Sequence, residues 1–134
     1  MTLIRTALTH PSQLCWWQWG QILGVTLPAL LCALDVEQPL VWALAVHCFV
    51  DFTAQSDDTA AGKAHGNRQV LAYHAFIAGG YPGLLVGGLE GLAISVAIHF
   101  LVDMTNKFGL DGLTGSALDQ AAHIMTLLII WWLL

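Results

Sequence analysis

The sequence predicts an all-α integral membrane protein, and three observations support this fold class. Apolar residues make up 57% of the chain and charged residues only 10%, whereas a soluble domain carries about a quarter. Most of the chain beyond residue 14 divides into stretches of about 20 apolar residues, the length that a helix needs to cross a bilayer. The few Lys and Arg residues fall on one side of the resulting topology. With four basic residues against nine acidic ones, a nucleic-acid-binding surface is excluded.

The first region of the chain, residues 1–39, is predicted to be an N-terminal anchor helix followed by a turn. The helix covers about residues 14–34, and the turn covers residues 35–39. Tryptophan side chains prefer the interface between membrane and water, and three of them stand near the start of this helix: Trp16, Trp17 and Trp19. This region supplies the first of about five transmembrane helices.

The second region, residues 40–134, is predicted to be a four-helix membrane domain. The glycines and proline of residues 79–82 predict a break or tight bend within its second helix. Ser116 is a candidate N-cap for the last helix. The four helices cover about residues 40–55, 69–89, 90–106 and 117–134, with a polar loop over 56–68 and a glycine-rich loop over 107–115.

The charged residues predict the orientation of these helices. All four basic residues fall on one face of the five-helix topology: Arg5, Lys63, Arg68 and Lys107. The opposite face carries only acidic residues: Asp35, Glu37 and Glu90. Basic residues of short loops stay on the cytoplasmic side, so we expect a cytoplasmic N-terminus and a C-terminus outside the cell.

The chain also contains an internal repeat. Residues 45–53 align with residues 97–105 at an offset of 52, and Ala, His, Val, Asp and Thr coincide. His74 and His123 correspond more faintly, at an offset of 49. Both copies begin on the same side of the membrane, so the repeat of helical hairpins is parallel, with a pseudo-two-fold axis along the membrane normal.

The repeat places His and Asp side chains together. Residues four apart share one face of a helix, which applies to His47 with Asp51 and to His99 with Asp103. Asp119 and His123 have the same spacing in reverse order, as a helix of opposite direction requires. With His74, these residues are predicted to converge at one depth, near the cytoplasmic side, from four helices.

Such a cluster is typical of a metal site, although other interpretations stay open. Neutral imidazole and carboxylate are ligands for zinc, iron or manganese, and a divalent ion offsets buried negative charge. The Asp side chains would either bind the ion or orient the His rings. A single His–Asp pair in a membrane helix is more often a hydrogen-bonded link between helices. Lys63, Lys107 and Arg68 would anchor the interface or attract an anionic head group, and Gln55, Asn106 and Gln120 would be interfacial anchors.

Glycines of the second region have two interpretations as well. Gly79, Gly80, Gly87, Gly88 and Gly91 favour close helix packing over phosphate binding. His10 and His65 lie in segments expected to be exposed, so neither is expected to belong to the site.

The order of these polar residues is similar to a known family. The segments His47-x-x-x-Asp51-Phe52-x-x-Gln55, Lys63, His74, His99-Phe100-x-x-Asp103-x-x-Lys107 and Asp119-Gln120-x-x-His123 resemble the domain of unknown function 3307 family, a family of bacterial inner-membrane proteins. The resemblance covers about residues 40–134 and implies an inner-membrane location, but no activity. Met104 replaces, in the second copy, the Phe that follows Asp51 in the first. More distantly, the His/Asp arrangement is similar to membrane-bound metal-dependent hydrolases, an analogy at the level of the fold.

The leading functional hypothesis is a membrane-embedded, metal-dependent hydrolase acting on a lipid-like ester or phosphoester at the cytoplasmic leaflet. The expected metal ligands are His47, His99 and His123, joined by His74 and by Asp51, Asp103 and Asp119. His74 and the three Asp residues are also the candidate acids and bases. The alternatives are a small transporter or proton relay, and a non-catalytic membrane subunit or adaptor with a structural His/Asp cluster. Expected partners are membrane lipid and either a second copy or another membrane protein.

Overall fold

The computed structural model describes Ile22, Thr26 and residues 29–35, 37–105 and 112–134, and these residues form helices and turns without a strand. The predicted all-α fold class is therefore confirmed for this part of the chain. Most of the predicted anchor helix, with its three tryptophans, lies outside the described residues, and so does Arg5. Asn106, Lys107 and most of the glycine-rich loop also lie outside them. Residues 29–33 are helical.

Helix α1, Gln38–Cys48, begins the four-helix region. Pro39 lies in its first turn, where the missing N–H would have no partner in the helix. One face buries Leu40, Ala43 and Leu44 in the apolar core. The chain continues into a π-helical turn, Phe49–Thr53, which carries Asp51. Single π-helical turns of this kind occur often at functional sites.

The segment predicted as a polar loop over 56–68 contains a helix instead. Helix α2, Asp57–Ala64, begins at the Ser56 cap, whose side chain accepts a hydrogen bond from the Thr59 N–H. Acidic residues in the first turn, Asp57 and Asp58, stabilise the positive end of the helix dipole. The loop prediction was wrong because capping and dipole effects stabilise this short helix without an apolar face.

The next three elements run as one helical segment from α3, Arg68–Ala75, through a π-helical turn, Phe76–Gly80, into α4, Tyr81–Thr105. The chain does not break at residues 79–82 as predicted, because it stays helical there, passing from the π-helical turn into α4. The true break lies at Gly87 and Gly88, whose backbone is non-helical. Gly88 has φ of 59° and ψ of −148°, a conformation that residues with a side chain rarely adopt.

The break folds this segment into two antiparallel arms, residues 68–87 and 89–105. Gly79 lies against Ser95 and His99, whereas Gly83, one turn later, lies against Gly91 and Ser95. Moving along the first arm from Gly79 to Gly83, the contacted residues move back along the second arm. The two arms therefore run in opposite directions. The two glycines also support the interpretation that small residues allow close helix packing.

Helix α5, Gly112–Leu133, packs along α4 and completes the bundle. Its Leu127 and Ile130 join Val86 in the apolar core, which lies toward the Gly87 break. Helix α1 supplies the remaining core residues: Leu40, Ala43 and Leu44. The polar cluster described below lies on the other side of this core, toward α2 and the start of α5.

The described helices differ in their capacity to cross a membrane. By length and composition, the segment Arg68–Thr105, counted as one element across the Gly87–Gly88 break, is long and apolar enough, and it is the one such segment among the described residues. Two shorter apolar helices accompany it, Gln38–Phe52 and Ala117–Leu133. The number of membrane crossings in the whole chain stays a prediction.

A candidate metal centre between four helices

All seven predicted site residues lie together inside the bundle. Each is at most 8% exposed: His47, Asp51, His74, His99, Asp103, Asp119 and His123. They come from α1 and its π-helical turn, from α3, from α4 and from α5. The convergence inferred from the spacing of four is therefore found in the structure.

The imidazole rings form a contiguous layer. The ring centroids of His47 and His99, the equivalent residues of the repeat, are 5.6 Å apart, so these two rings face each other inside the bundle. The rings of His99 and His123 stack with centroids 3.7 Å apart. His74 lies 5.2 Å from His99, and His47 lies 5.3 Å from His123. A local two-fold axis that exchanges the two copies of the repeat would make these two distances equal, and they are nearly equal.

One half of the cluster presents atoms with no hydrogen-bond partner among the described residues. These buried atoms are His99 Nε2, Asp103 Oδ1, Asp119 Oδ1 and His123 Nε2, together with Asp103 Oδ2, which has an ion pair with Lys63 Nζ at 3.1 Å but no hydrogen bond of good geometry. His123 Nε2 lies 3.5 Å from Asp119 Oδ1 and 3.8 Å from Asp103 Oδ1. His99 Nε2 lies 3.8 Å from Asp103 Oδ2. We call these four residues the open half of the centre.

The spacing of three residues in the open half, His99, Asp103 and His123, fits a metal ion. Ligand atoms about 2.1 Å from a tetrahedral ion are about 3.4 Å from one another, close to the separations found here. Buried polar atoms without partners cost free energy, which a bound cation would remove. Ligand atoms that lie within 4.8 Å of one another occur in three groups: Asp51, His74 and His99; His99, Asp103 and His123; and Asp51, Asp119 and His123.

We call the other half, Asp51 and His74, the closed half, because hydrogen bonds occupy its polar atoms. His74 Nε2 donates to Asp51 Oδ1 at 2.7 Å. Gln120 donates from its amide nitrogen to Asp51 Oδ2 and, at 3.1 Å, to Asp119 Oδ2. Gln120 was interpreted as an interfacial anchor, but its side chain links the two halves of the centre instead. The signal for Gln120 in the sequence is its place next to Asp119 in the segment Asp119-Gln120-x-x-His123, one of those that resemble the family.

Lys63 also belongs to the centre. Its Nζ lies 3.1 Å from Asp103 Oδ2, 3.7 Å from Asp51 Oδ1 and 3.0 Å from His74 Nε2. The side chain is 19% exposed, so it enters the centre from the outer side of the bundle. Gly62 makes this approach possible, because a Cβ at that position would lie 2.8 Å from Val70 of α3. Anchoring at the interface is therefore not the main role of Lys63.

His47 is held by protein oxygens, and it belongs to none of the three ligand groups. Its Nδ1 lies 3.2 Å from the Ala78 carbonyl oxygen, and its Nε2 lies 3.2 Å from Gln120 Oε1. Ala78 precedes Pro82 by four residues, so the N–H that would bond this carbonyl in an α-helix does not exist. Pro82 thus leaves Ala78 free to accept from His47.

His65, which was not expected to belong to the site, is exposed and contacts the Ala61 carbonyl oxygen through Nδ1 at 2.7 Å. It lies on the surface two residues after Lys63 and takes no part in the cluster. His10 lies outside the described residues.

Fold and site together define a class: an all-helical protein whose four helices enclose a buried histidine–aspartate centre with open ligand atoms. A comparison with known families gives a more particular assignment. The family described as "Protein of unknown function (DUF3307)" matches residues 40–134, and the chain belongs to this family. The resemblance found in the order of the polar residues is thereby confirmed. No curated protein and no solved structure matches the chain.

Proposed function

We propose that the protein is a membrane-embedded, metal-dependent hydrolase that acts on a lipid-like ester or phosphoester at the cytoplasmic leaflet. One observation supports the metal centre above all. Buried imidazole nitrogens and carboxylate oxygens of the open half face one another without hydrogen-bond partners among the described residues. A structural cluster would instead be expected to pair its polar atoms with each other, as the closed half does.

The charges of the centre support one divalent ion. Three buried carboxylates, those of Asp51, Asp103 and Asp119, meet one ammonium group, that of Lys63. With neutral imidazoles, two negative charges remain, and one divalent cation neutralises them. Uncompensated charge inside an apolar bundle is costly, so this balance favours binding of the ion.

The ligand types favour zinc, iron or manganese, because nitrogen and oxygen donors of this kind bind these ions. In the open half, His99, Asp103 and His123 would hold the ion, and Asp119, 3.5 Å from His123 Nε2, is a further candidate ligand. A divalent ion lowers the pKa of a coordinated water and polarises a carbonyl or phosphoryl oxygen. The hydrogen-bonded pair of Asp51 and His74 would accept and return the proton during hydrolysis.

The surface of the bundle supports a location in the membrane. Large apolar side chains point outward, among them Trp42, Phe49, Tyr73, Leu101 and Trp132. Three Asp and four His side chains are buried between the helices, which is the reverse of the usual arrangement in a soluble protein. Residues 68–87 and 89–105 would each cross as one helix, since each is about 25 to 30 Å long.

The orientation follows from the basic residues. Lys63 and Arg68 lie at the end of the bundle that holds the centre, and basic residues favour the cytoplasmic side. The proposal is therefore a multi-pass protein of the bacterial inner membrane with five helices and a cytoplasmic N-terminus. A centre at that depth faces the glycerol and head-group region of the inner leaflet, which suits an ester or phosphoester of a lipid.

Elemental analysis tests the metal. Protein purified in mild detergent without chelator should contain zinc, iron or manganese at close to one ion per chain. His99→Ala should lower this content markedly, because it removes an open ligand atom. His65→Ala is the matched control, because His65 is exposed and outside the centre, and the metal content should not change.

Activity is tested with the metal-loaded protein on fluorogenic carboxylic esters and phosphoesters that carry one acyl chain. Hydrolysis should stop after chelation and return when the ion is restored. Folded wild-type protein that contains no ion and takes up none of the three metals would contradict the proposal and favour the structural cluster. A bound ion with no hydrolysis of either ester class would retain the centre and refute the hydrolase.

A further inference from the structure

The geometry points to Lys63 as a built-in second cation of the centre, which binds the negatively charged or polarised oxygen of the substrate beside the metal ion. This inference rests on the proposed function. It assigns to Lys63 a substrate-binding role for an ester carbonyl or phosphoryl oxygen, in the position that a second metal ion would otherwise take.

The internal repeat relates the two halves of the centre. Asp51 corresponds to Asp103 in the repeat, and His74 corresponds to His123. Each half of the centre thus has one Asp–His pair, contributed by equivalent helices. If both halves behaved alike, the centre would have two equivalent cation positions, one at each pair.

The two pairs differ in what surrounds them. In the closed half, Asp51 Oδ1 and His74 Nε2 are 2.7 Å apart, and Lys63 Nζ lies 3.7 Å and 3.0 Å from these two atoms. In the open half, Asp103 Oδ1 and His123 Nε2 are 3.8 Å apart, and neither atom has a hydrogen-bond partner among the described residues. Lys63 thus contacts both the Asp and the His of the first pair, whereas at the second pair it contacts only Asp103 Oδ2, which leaves Asp103 Oδ1 and His123 Nε2 to a metal ion.

Lys63 also bridges the two halves, because its Nζ lies 3.1 Å from Asp103 Oδ2. A substrate oxygen bound at the metal would therefore lie within reach of the ammonium group. In hydrolases with two metal ions about 3.5–4 Å apart, the second ion stabilises charge that develops on an oxygen. An ammonium group has three donors and can supply the same stabilisation.

The position of Lys63 at the outer edge of the centre supports a role in substrate binding. Among the seven other charged or titratable side chains of the centre, none is more than 8% exposed, whereas the Lys63 side chain is 19% exposed. It extends from α2, a helix without buried residues. A substrate entering from the α2 side of the bundle would meet this ammonium group before it met the metal ligands.

Metal stoichiometry tests the inference. At saturating zinc, the wild type should hold one ion per chain, and Lys63→Met should hold one ion more, because the neutral side chain frees the position at Asp51 and His74. Lys63→Arg is the matched control, since it keeps the charge and should keep the wild-type stoichiometry. An unchanged zinc content in a folded Lys63→Met variant would overturn the inference.

Two further outcomes distinguish a failure of this inference from a failure of the proposed function. Wild-type protein that holds two zinc ions would overturn it without any variant, because Lys63 would then not exclude a second ion. A wild type without zinc would refute the proposed function, yet uptake of one ion by Lys63→Met would still support Lys63 as the resident cation.

Binding of inorganic phosphate to the zinc-loaded protein supplies the test of substrate binding. Lys63→Met should weaken phosphate binding by about ten-fold or more, because a charge-assisted hydrogen bond is lost. Lys63→Arg should retain most of the affinity. Equal phosphate affinity in wild type and Lys63→Met would overturn the substrate-binding role.

Discussion

Replacing Gly83 by Ala should separate the two arms of the helical hairpin that carries the centre. A Cβ at Gly83 would meet the backbone carbonyl of Gly91 and would lie 2.6 Å from the Cβ of Ser95. Normal carbon contacts are about 3.5 Å or longer, so the arms must move apart by roughly 1 Å. Backbone atoms cannot turn aside as a side chain can, and the strain falls on the whole interface.

The expected cost follows from this geometry. Overpacking of a tight interface destabilises proteins by about 1–3 kcal/mol, and the contact with backbone atoms places Gly83→Ala in the upper part of that range. His99 lies one turn beyond Ser95 on the same arm, so zinc affinity should fall together with stability. The measurement is unfolding of the detergent-solubilised protein by SDS, followed by circular dichroism.

Gly80→Ala is the matched control on the same arm. Its new Cβ would lie 3.2 Å from Val96 Cγ2, the end of a side chain that can shift, so the loss should stay below about 1 kcal/mol. If Gly83→Ala unfolds at the wild-type SDS concentration, or if Gly80→Ala lowers the stability more than Gly83→Ala does, the inference that the hairpin arms are closely packed at Gly83 is refuted.

Two other predictions concern His47 and the topology. Pro82→Ala restores an N–H that can bond the Ala78 carbonyl, so His47 should lose this acceptor and its imidazole ¹⁵N resonances should shift, whereas Pro39→Ala should leave them in place. Unchanged resonances in Pro82→Ala would refute the role of Pro82. A reporter active only in the periplasm should give a signal when fused to Leu134, since the basic residues place the C-terminus outside. A signal only from a cytoplasmic reporter would refute the five-helix topology.

The centre could be predicted from the sequence because helix geometry fixes direction and depth. His47 with Asp51, His99 with Asp103, and Asp119 with His123 each share a helical face, and their order indicates the direction of the helix. These relations hold without knowledge of how the helices pack. The sequence therefore predicts the seven buried residues of the centre, although not its division into an open and a closed half.

The features that escaped prediction depend on packing between elements. The positions of Lys63 and Gln120 depend on how α2 and α5 approach α3 and α4, which no spacing in the sequence encodes. The π-helical turns change the register of α1 and α3 without a distinctive residue pattern. The contact between His47 and Ala78 did have a signal, since Pro82 removes the partner of a carbonyl four residues earlier.

The break in the hairpin shows where composition alone was ambiguous. Glycine pairs occur at Gly79–Gly80 and at Gly87–Gly88, and either could end a helix. The first pair serves close packing, whereas Gly88 adopts the positive φ that reverses the chain. Composition cannot distinguish these uses, because both require the absence of a side chain.

X-ray absorption spectroscopy of the zinc-loaded wild type tests the central claim most directly, because it reports the atoms around the ion. We expect about four nitrogen and oxygen ligands at about 2.0–2.2 Å, with the outer-shell signal of two imidazole rings from His99 and His123. That signal should diminish in His99→Ala and persist in His65→Ala. A spectrum without imidazole scattering, or with a sulfur ligand at about 2.3 Å, would contradict the proposed centre.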